Sequence, residues 1–157
     1  MQGSEKVIAA LNMTLQEEFT ALCQYFIHAE MCQNWKYDNL SKYLKKLSIV
    51  EMKHAEKLIE HILFLEGTPN MTGPTQIKVG KTVKEQLEND LQSELSAVKS
   101  YNDAVKLARA EGDNGSADLF TANLRDEEEH TDWLEAQLRQ IKEVGYERYL
   151  SVQVNGA

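Results

Sequence analysis

Two stretches decide the fold: Glu51-Met52-Lys53-His54 and Glu127-Glu128-Glu129-His130. Each reads Glu-x-x-His, and residues three apart on a helix share a face, so carboxylate and imidazole can converge on one cation. Both stretches interrupt rows that should be apolar. The first row runs Leu44, Leu47, Glu51, His54, Leu58, Ile62, Leu65, and the second Phe120, Leu124, Glu127, Thr131, Leu134, Leu138. Spacings that alternate between three and four mark the buried stripe of a bundle helix. A lone Glu-x-x-His would carry little weight, because Glu is common on exposed helices. Surface glutamates on misphased helices are the plain alternative.

Working outward weakens that alternative. Glu18 lies 33 residues before Glu51, and Glu94 lies 33 before Glu127. Each again breaks an apolar row once: Leu11, Leu15, Glu18, Leu22, Tyr25, Ala29, and Leu87, Leu91, Glu94, Val98, Tyr101, Val105. Glu18 and Glu94, Glu51 and Glu127, His54 and His130, and Tyr25 and Tyr101 are all 76 apart. A duplicated helical hairpin with a pseudo-two-fold axis through the site is the inference. One Glu from each of two helices plus Glu-x-x-His from each of the other two is the ligand pattern of di-iron carboxylate bundles. Four carboxylates and two neutral imidazoles carry four negative charges, which two divalent cations neutralise. Four buried anions without cations would be very unfavourable, since one unpaired buried charge already costs several kcal/mol. Mixed oxygen and imidazole donors suit iron or manganese better than a thiolate-seeking metal.

The rows predict an all-α fold with helices over 5–34, 38–65, 83–110 and 115–143 and a short fifth over 146–152, in one domain of 1–157. Gly67, Gly112 and Gly145 suit helix ends, and Thr82 with Glu85 has capping-box spacing. The first and third connections are short, so each hairpin is antiparallel. Residues 67–81 differ, holding both prolines and three glycines. Extended, they reach about 50 Å, against about 42 Å for a 28-residue helix. They can run the whole length of the bundle and make the second and third helices parallel, the one-crossover topology of ferritin-like folds.

Composition excludes several classes. With 17 basic against 25 acidic residues the net charge is −8, which gives nucleic acid no electrostatic footprint. No apolar run approaches the roughly 20 residues needed to cross a membrane, and the first residues lack the basic and apolar parts of a signal peptide. A cytoplasmic protein is the expectation. Cys23 and Cys32, nine residues apart on one predicted helix, have Cα atoms roughly 13 Å apart, too far to bridge, and read as free buried thiols.

The sequence resembles the bacterioferritins over nearly its full length. The resemblance rests on Gln24-Tyr25-Phe26, Glu51-Met52-Lys53-His54-Ala55, Ile62-Leu63-Phe64-Leu65-Glu66-Gly67, Leu124-Arg125-Asp126-Glu127-Glu128, His130 and Asp132-Trp133-Leu134-Glu135. It implies that Glu18, Glu51, His54, Glu94, Glu127 and His130 hold two iron ions per subunit, with Glu51 and Glu127 bridging. The implied activity is that of a ferroxidase: Fe(II) is oxidised by dioxygen or peroxide, and ferric mineral is stored in a shell of twenty-four subunits built from two-fold dimers. The shell is of one subunit type or mixed with a second. Met52, turned about 100° from Glu51 and outward, reads by itself as interface packing. The resemblance makes it an axial ligand to haem b, one per dimer, that assists electron transfer for iron release from a ferredoxin-type donor. Tyr25 could hydrogen-bond a ligand or supply an electron.

One departure and three rivals accompany this reading. The His and Asp that hold an extra iron on the inner surface of the best-known bacterioferritins match Lys46 and Val50 here, which points to iron entering the mineral through the ferroxidase centre itself. A rubrerythrin-like peroxidase would bring Cys-x-x-Cys pairs, which the sequence lacks. A haem carrier with an idle centre would not keep six ligands, and a purely structural bundle would not bury four charges. His28 and His61 read as structural or solvated, Glu128 and Glu129 as solvated or pore-lining, and Trp35 and Trp133 as packing.

Overall fold

The computed structural model describes residues 1–154; the last three residues of the single-domain reading lie outside them. Five helices follow one another: α1 (Glu5–Asn34), α2 (Asp38–Phe64), α3 (Val83–Ala110), α4 (Asn114–Val144) and α5 (Tyr146–Ser151). The ends differ from the sequence reading by one residue: α2 stops at Phe64, α4 spans 114–144, and α5 stops at Ser151.

Left-handed residues close the helices, though not always at the expected glycine. At the end of α2 the positive φ belongs to Glu66, not Gly67. Gly67 donates to Ile62 O and Glu66 to Leu63 O, the paired bonds of a Schellman cap. Gly67 is required for space instead, because a Cβ there would lie 2.9 Å from Ile8 Cγ2. Lys36 and Gly112 end α1 and α3 in the same way. At the start of α3 the Thr82 hydroxyl accepts from Glu85 N–H, but the Glu85 carboxylate turns to Lys81 N–H, one residue outside a reciprocal capping box.

The direction of each helix follows from its bonds. Gly3 donates to Leu65 O, so the end of α2 returns to the start of α1. Cys32 bonds Gln86, Tyr101 bonds Glu18 and Ser4 bonds Glu111, so α3 runs antiparallel to α1 and therefore parallel to α2. This is the expected one-crossover, ferritin-like four-helix bundle.

A polar column on α1 secures the crossover. Asn12, Gln16, Thr20, Gln24 and His28 recur every four residues and meet the crossover backbone in order. Asn12 takes Asn70 N–H (2.7 Å), Gln16 takes Thr72 N–H and donates to Gly73 O, Thr20 takes Thr75 N–H, Gln24 takes Lys78 N–H, and His28 takes Gly80 N–H (3.0 Å). Because His28 Nε2 accepts, its proton sits on Nδ1 and is donated to Asp90, 2.9 Å away and fully buried. Gly80 turns the chain so closely into α3 that a Cβ would lie 2.3 Å from Gln86 N.

The apolar rows pack into two clusters. One holds Leu11, Leu15, Leu58, Ile62 and Phe120, and the other Leu40, Leu44, Leu87, Leu134 and Ile141, closed by Tyr149 of α5. Several residues assigned to the rows, Leu22, Leu91, Val98, Val105, Leu124 and Leu138, are only half-buried, while Ala97, Ala104, Ala108 and Asn123 lie inside. Small residues thus fill inner positions beside the large ones of the rows. Cys32 is buried and Cys23 half-buried; both are free. No described helix is long and apolar enough to cross a membrane.

Candidate metal centre

Between the two apolar clusters lies a polar layer. α1 delivers Glu18, α2 Glu51 and His54, α3 Glu94, and α4 Glu127 and His130, all buried. They form two overlapping sets: Glu18, Glu51, His54 and Glu127, and Glu51, Glu94, Glu127 and His130. Within each set, one donor atom per residue lies within 4.8 Å of the others. Glu51 and Glu127 belong to both, the position from which a carboxylate can span two cations. All six residues singled out from the sequence are brought together.

The duplication survives in the distances. His54 Nδ1 lies 3.1 Å from Glu127, 3.4 Å from Glu18 and 3.9 Å from Glu51. His130 Nδ1 lies 3.0 Å from Glu51, 3.3 Å from Glu94 and 3.8 Å from Glu127. Each imidazole thus sits nearer the glutamate of the opposite hairpin than that of its own helix. The tyrosines cross over too: Tyr101 donates to Glu18 and Tyr25 to Glu94, both at 2.5 Å. Tyr25 therefore serves the glutamate of α3 rather than that of its own helix.

The electrostatics fit cations. Both oxygens of Glu51 and of Glu127, and one of Glu94, are buried without an aligned hydrogen bond among the described residues. The imidazoles 3.0 Å from Glu51 and 3.1 Å from Glu127 are close enough to pair with them in charge but not aligned to donate. Unsatisfied buried carboxylate oxygens are costly, and native proteins keep them for ions or chemistry. Burial pushes Glu51 well above the ordinary carboxylate range, and the charges of Glu127, Glu18 and Glu94 push the same way. Burial raises Glu127 likewise, with Glu18 and Glu94 adding to it. Burial would also raise Glu18, but Glu51, His54 and Tyr101 hold it below the usual value. Burial alone would lower His54, yet Glu127 and Glu18 outweigh it and drive it up to about 11. Without cations the cluster therefore holds protons in their place.

Three neighbours escaped the sequence reading. Asp126 accepts from His54 Nε2 at 2.7 Å; its place directly before Glu127 was the only signal. Glu17, raised to about 7 by burial, takes a bond from Ser100 on one oxygen and leaves the other unpaired. It lines a cavity of about 340 Å³ between α1, α3 and the crossover that reaches Glu18, Glu51 and Glu127. The third is the His28–Asp90 pair, legible only as a histidine in a polar column. His28 and His61 are structural: His61 bonds Ser116 at 2.8 Å. Glu128 and Glu129 are exposed, and Trp133 stacks on Tyr43 with ring centres 4.2 Å apart. Met52 points outward and is exposed, away from the centre.

Fold and site define a ferritin-like bundle with a paired carboxylate–imidazole centre, and residues 8–144 match the family described as Ferritin: Ferritin-like domain. Within that class the chain belongs to the bacterioferritins. It is 42% identical to a bacterioferritin of Brucella melitensis biotype 1, over 95% of this chain and 92% of the relative. It is 40% identical to one of Streptomyces coelicolor, over 98% and 92%, and 38% identical to one of Mycobacterium tuberculosis, over 95% and 94%.

Proposed function

We propose that the chain stores iron: it oxidises ferrous iron at the paired centre and keeps the ferric product as mineral inside a shell of twenty-four copies. The observation that carries this reading is the set of orphaned oxygens on Glu51 and Glu127, shared by two ligand sets. Two ferrous ions are the substrate. Glu18 and His54 hold one, Glu94 and His130 the other, and Glu51 and Glu127 span both. Each ion gives up one electron. Dioxygen takes the two electrons with two protons and becomes hydrogen peroxide, or peroxide takes them with two protons and becomes two waters. Tyr25 and Tyr101 keep Glu94 and Glu18 oriented through their 2.5 Å bonds. The proton that His54 holds in the metal-free protein leaves when iron binds.

The cavity beside Glu17 supports entry of iron from the crossover side. It suits a chain with Lys46, exposed and lying over the Tyr43 ring, and half-buried Val50 where an inner-surface iron site would need donors. Haem b fits the outward Met52. Ser48 bonds Leu22 O and Lys45 pairs with Glu30, a register that sets exposed Met52, Ile49 and Phe26 on one outer face of α1 and α2. One Met52 from each of two copies would hold the haem, which supplies a one-electron path from a ferredoxin-type donor to the mineral.

Ferrous iron added in air should give a fast oxidation phase that saturates near two irons per chain. Glu18→Ala and His130→Ala should each abolish it while helical content is kept. Fast oxidation unchanged in both variants would refute the assignment.

A further inference from the structure

The inner ligands repeat across the pseudo-two-fold to within a few tenths of an ångström, and on that ground the two metal positions would be equivalent. The next layer out is not. His54 Nε2 donates to Asp126 at 2.7 Å, whereas His130 Nε2 has no hydrogen-bond partner among the described residues. The duplication explains why. The residue 76 before Asp126 is Val50, and a valine cannot accept a hydrogen bond. The six ligands and the two tyrosines all have their counterparts; farther from the imidazoles, Asn123 donates to Tyr101 where its counterpart, Leu47, cannot donate to Tyr25.

We infer that the two metal positions are unequal in affinity, and that Asp126 makes them so. The inference rests on the paired-metal reading above. By accepting from Nε2, Asp126 fixes the tautomer of His54, leaves the Nδ1 lone pair facing Glu18 and Glu127, and makes the imidazole a better donor. An outer carboxylate of this kind is typically worth 10–100-fold in metal affinity. His130 has no such brace. The ion beside Glu18 and His54 is the retained one, and the ion beside Glu94 and His130 is the one that exchanges. Asp126 is a positioning residue and touches no metal itself. Only one of the two positions then releases its ferric product readily, so the retained ion keeps Glu51 and Glu127 in place for the next ion.

Cobalt(II) separates the alternatives without iron oxidation. Metal-free protein titrated anaerobically, followed by calorimetry and visible absorption, should bind two cobalt ions per chain in two steps whose affinities differ about 10–100-fold. Asp126→Ala should weaken the tighter step by that factor and leave the other, so the steps merge. Val50→Asp should tighten the weaker step, so they merge at the tight end. Both positions are half-buried, and circular dichroism monitors the fold. Two equal steps in the unmodified protein, or a tight step that Asp126→Ala does not move, would overturn the inference and leave the paired centre standing. Fewer than two cobalt ions per chain would overturn the paired-metal reading itself.

Discussion

Protonation at the centre sets how the metal-free protein responds to pH. Glu51 and Glu127 are raised well above 4.5, and His54 rises from 6.5 to about 11. Each binds its proton more tightly folded than unfolded. The stability this gives is fully present below the unfolded values and is lost as pH rises through the folded ones. Glu17, raised to about 7, adds in the same direction. Glu18, held low, is ionised in both states above about pH 5 and adds no slope there. The melting temperature of the metal-free protein should therefore fall between about pH 5 and 9, and Glu51→Gln should both raise it and flatten the fall. With cobalt or ferrous iron the sign reverses, because the cations displace these protons and bind better as pH rises. At a hundred times the dissociation constant the gain is about 2.7 kcal/mol. Calorimetry with and without metal measures both slopes, and a metal-free protein that stabilises over this range would contradict the account.

At the scale of the element, α1 works on two faces. One presents Glu18 to the centre, and the other straps the crossover through five side chains four residues apart. The rungs are not equal. Thr20 meets Thr75 at the exposed edge, whereas His28 joins Gly80 and Asp90 where all three are buried. His28→Ala strands Gly80 N–H, at about 1–3 kcal/mol for a group left unsatisfied, and leaves the buried Asp90 carboxylate with Gln24 as its remaining donor. Thr20→Val, where water can replace the hydroxyl, should cost less than about 1 kcal/mol. Thermal unfolding of the metal-free protein compares them. In His28→Ala, faster amide exchange should be confined to the crossover and the first turn of α3. Equal losses in the two variants would mean that burial does not grade the column.

For the whole molecule, the outer face of α1 and α2 leaves Phe26, Ile49 and Met52 uncovered, and Leu63, Phe64 and Val144 are exposed elsewhere. Exposed large apolar side chains on one face are expected to meet other chains. An isologous two-fold contact whose axis passes beside Met52 would bring it opposite its copy. Light scattering should give the mass of a large hollow particle; one or two chains under non-dissociating conditions would refute the shell. Met52→Leu should lose haem yet keep the fast oxidation phase, and release of mineral iron on reduction should slow. Met52→His should change the haem spectrum. Haem bound to Met52→Leu with an unaltered spectrum would return Met52 to plain packing.

Helix number, crossover and the six residues of the centre were determined by sequence alone, because each leaves a periodic trace. A glutamate at a row position of an amphipathic helix is expected to face inward, and a 76-residue repeat pairs the four helices that share it. Other features had no such trace. Asp126 sits beside Glu127 but off the row, and only the crossing of α2 and α4 brings it to His54. Asp90 and His28 are 62 residues apart and meet because the crossover returns α3 alongside α1. The tyrosine partners were decided the same way: along α1 Tyr25 lies two turns from Glu18, yet the packing of α3 beside α1 sets its hydroxyl against Glu94. Periodicity records which face of a helix is buried. Which atoms meet on that face depends on crossing angle and depth, and those come from packing all four helices at once.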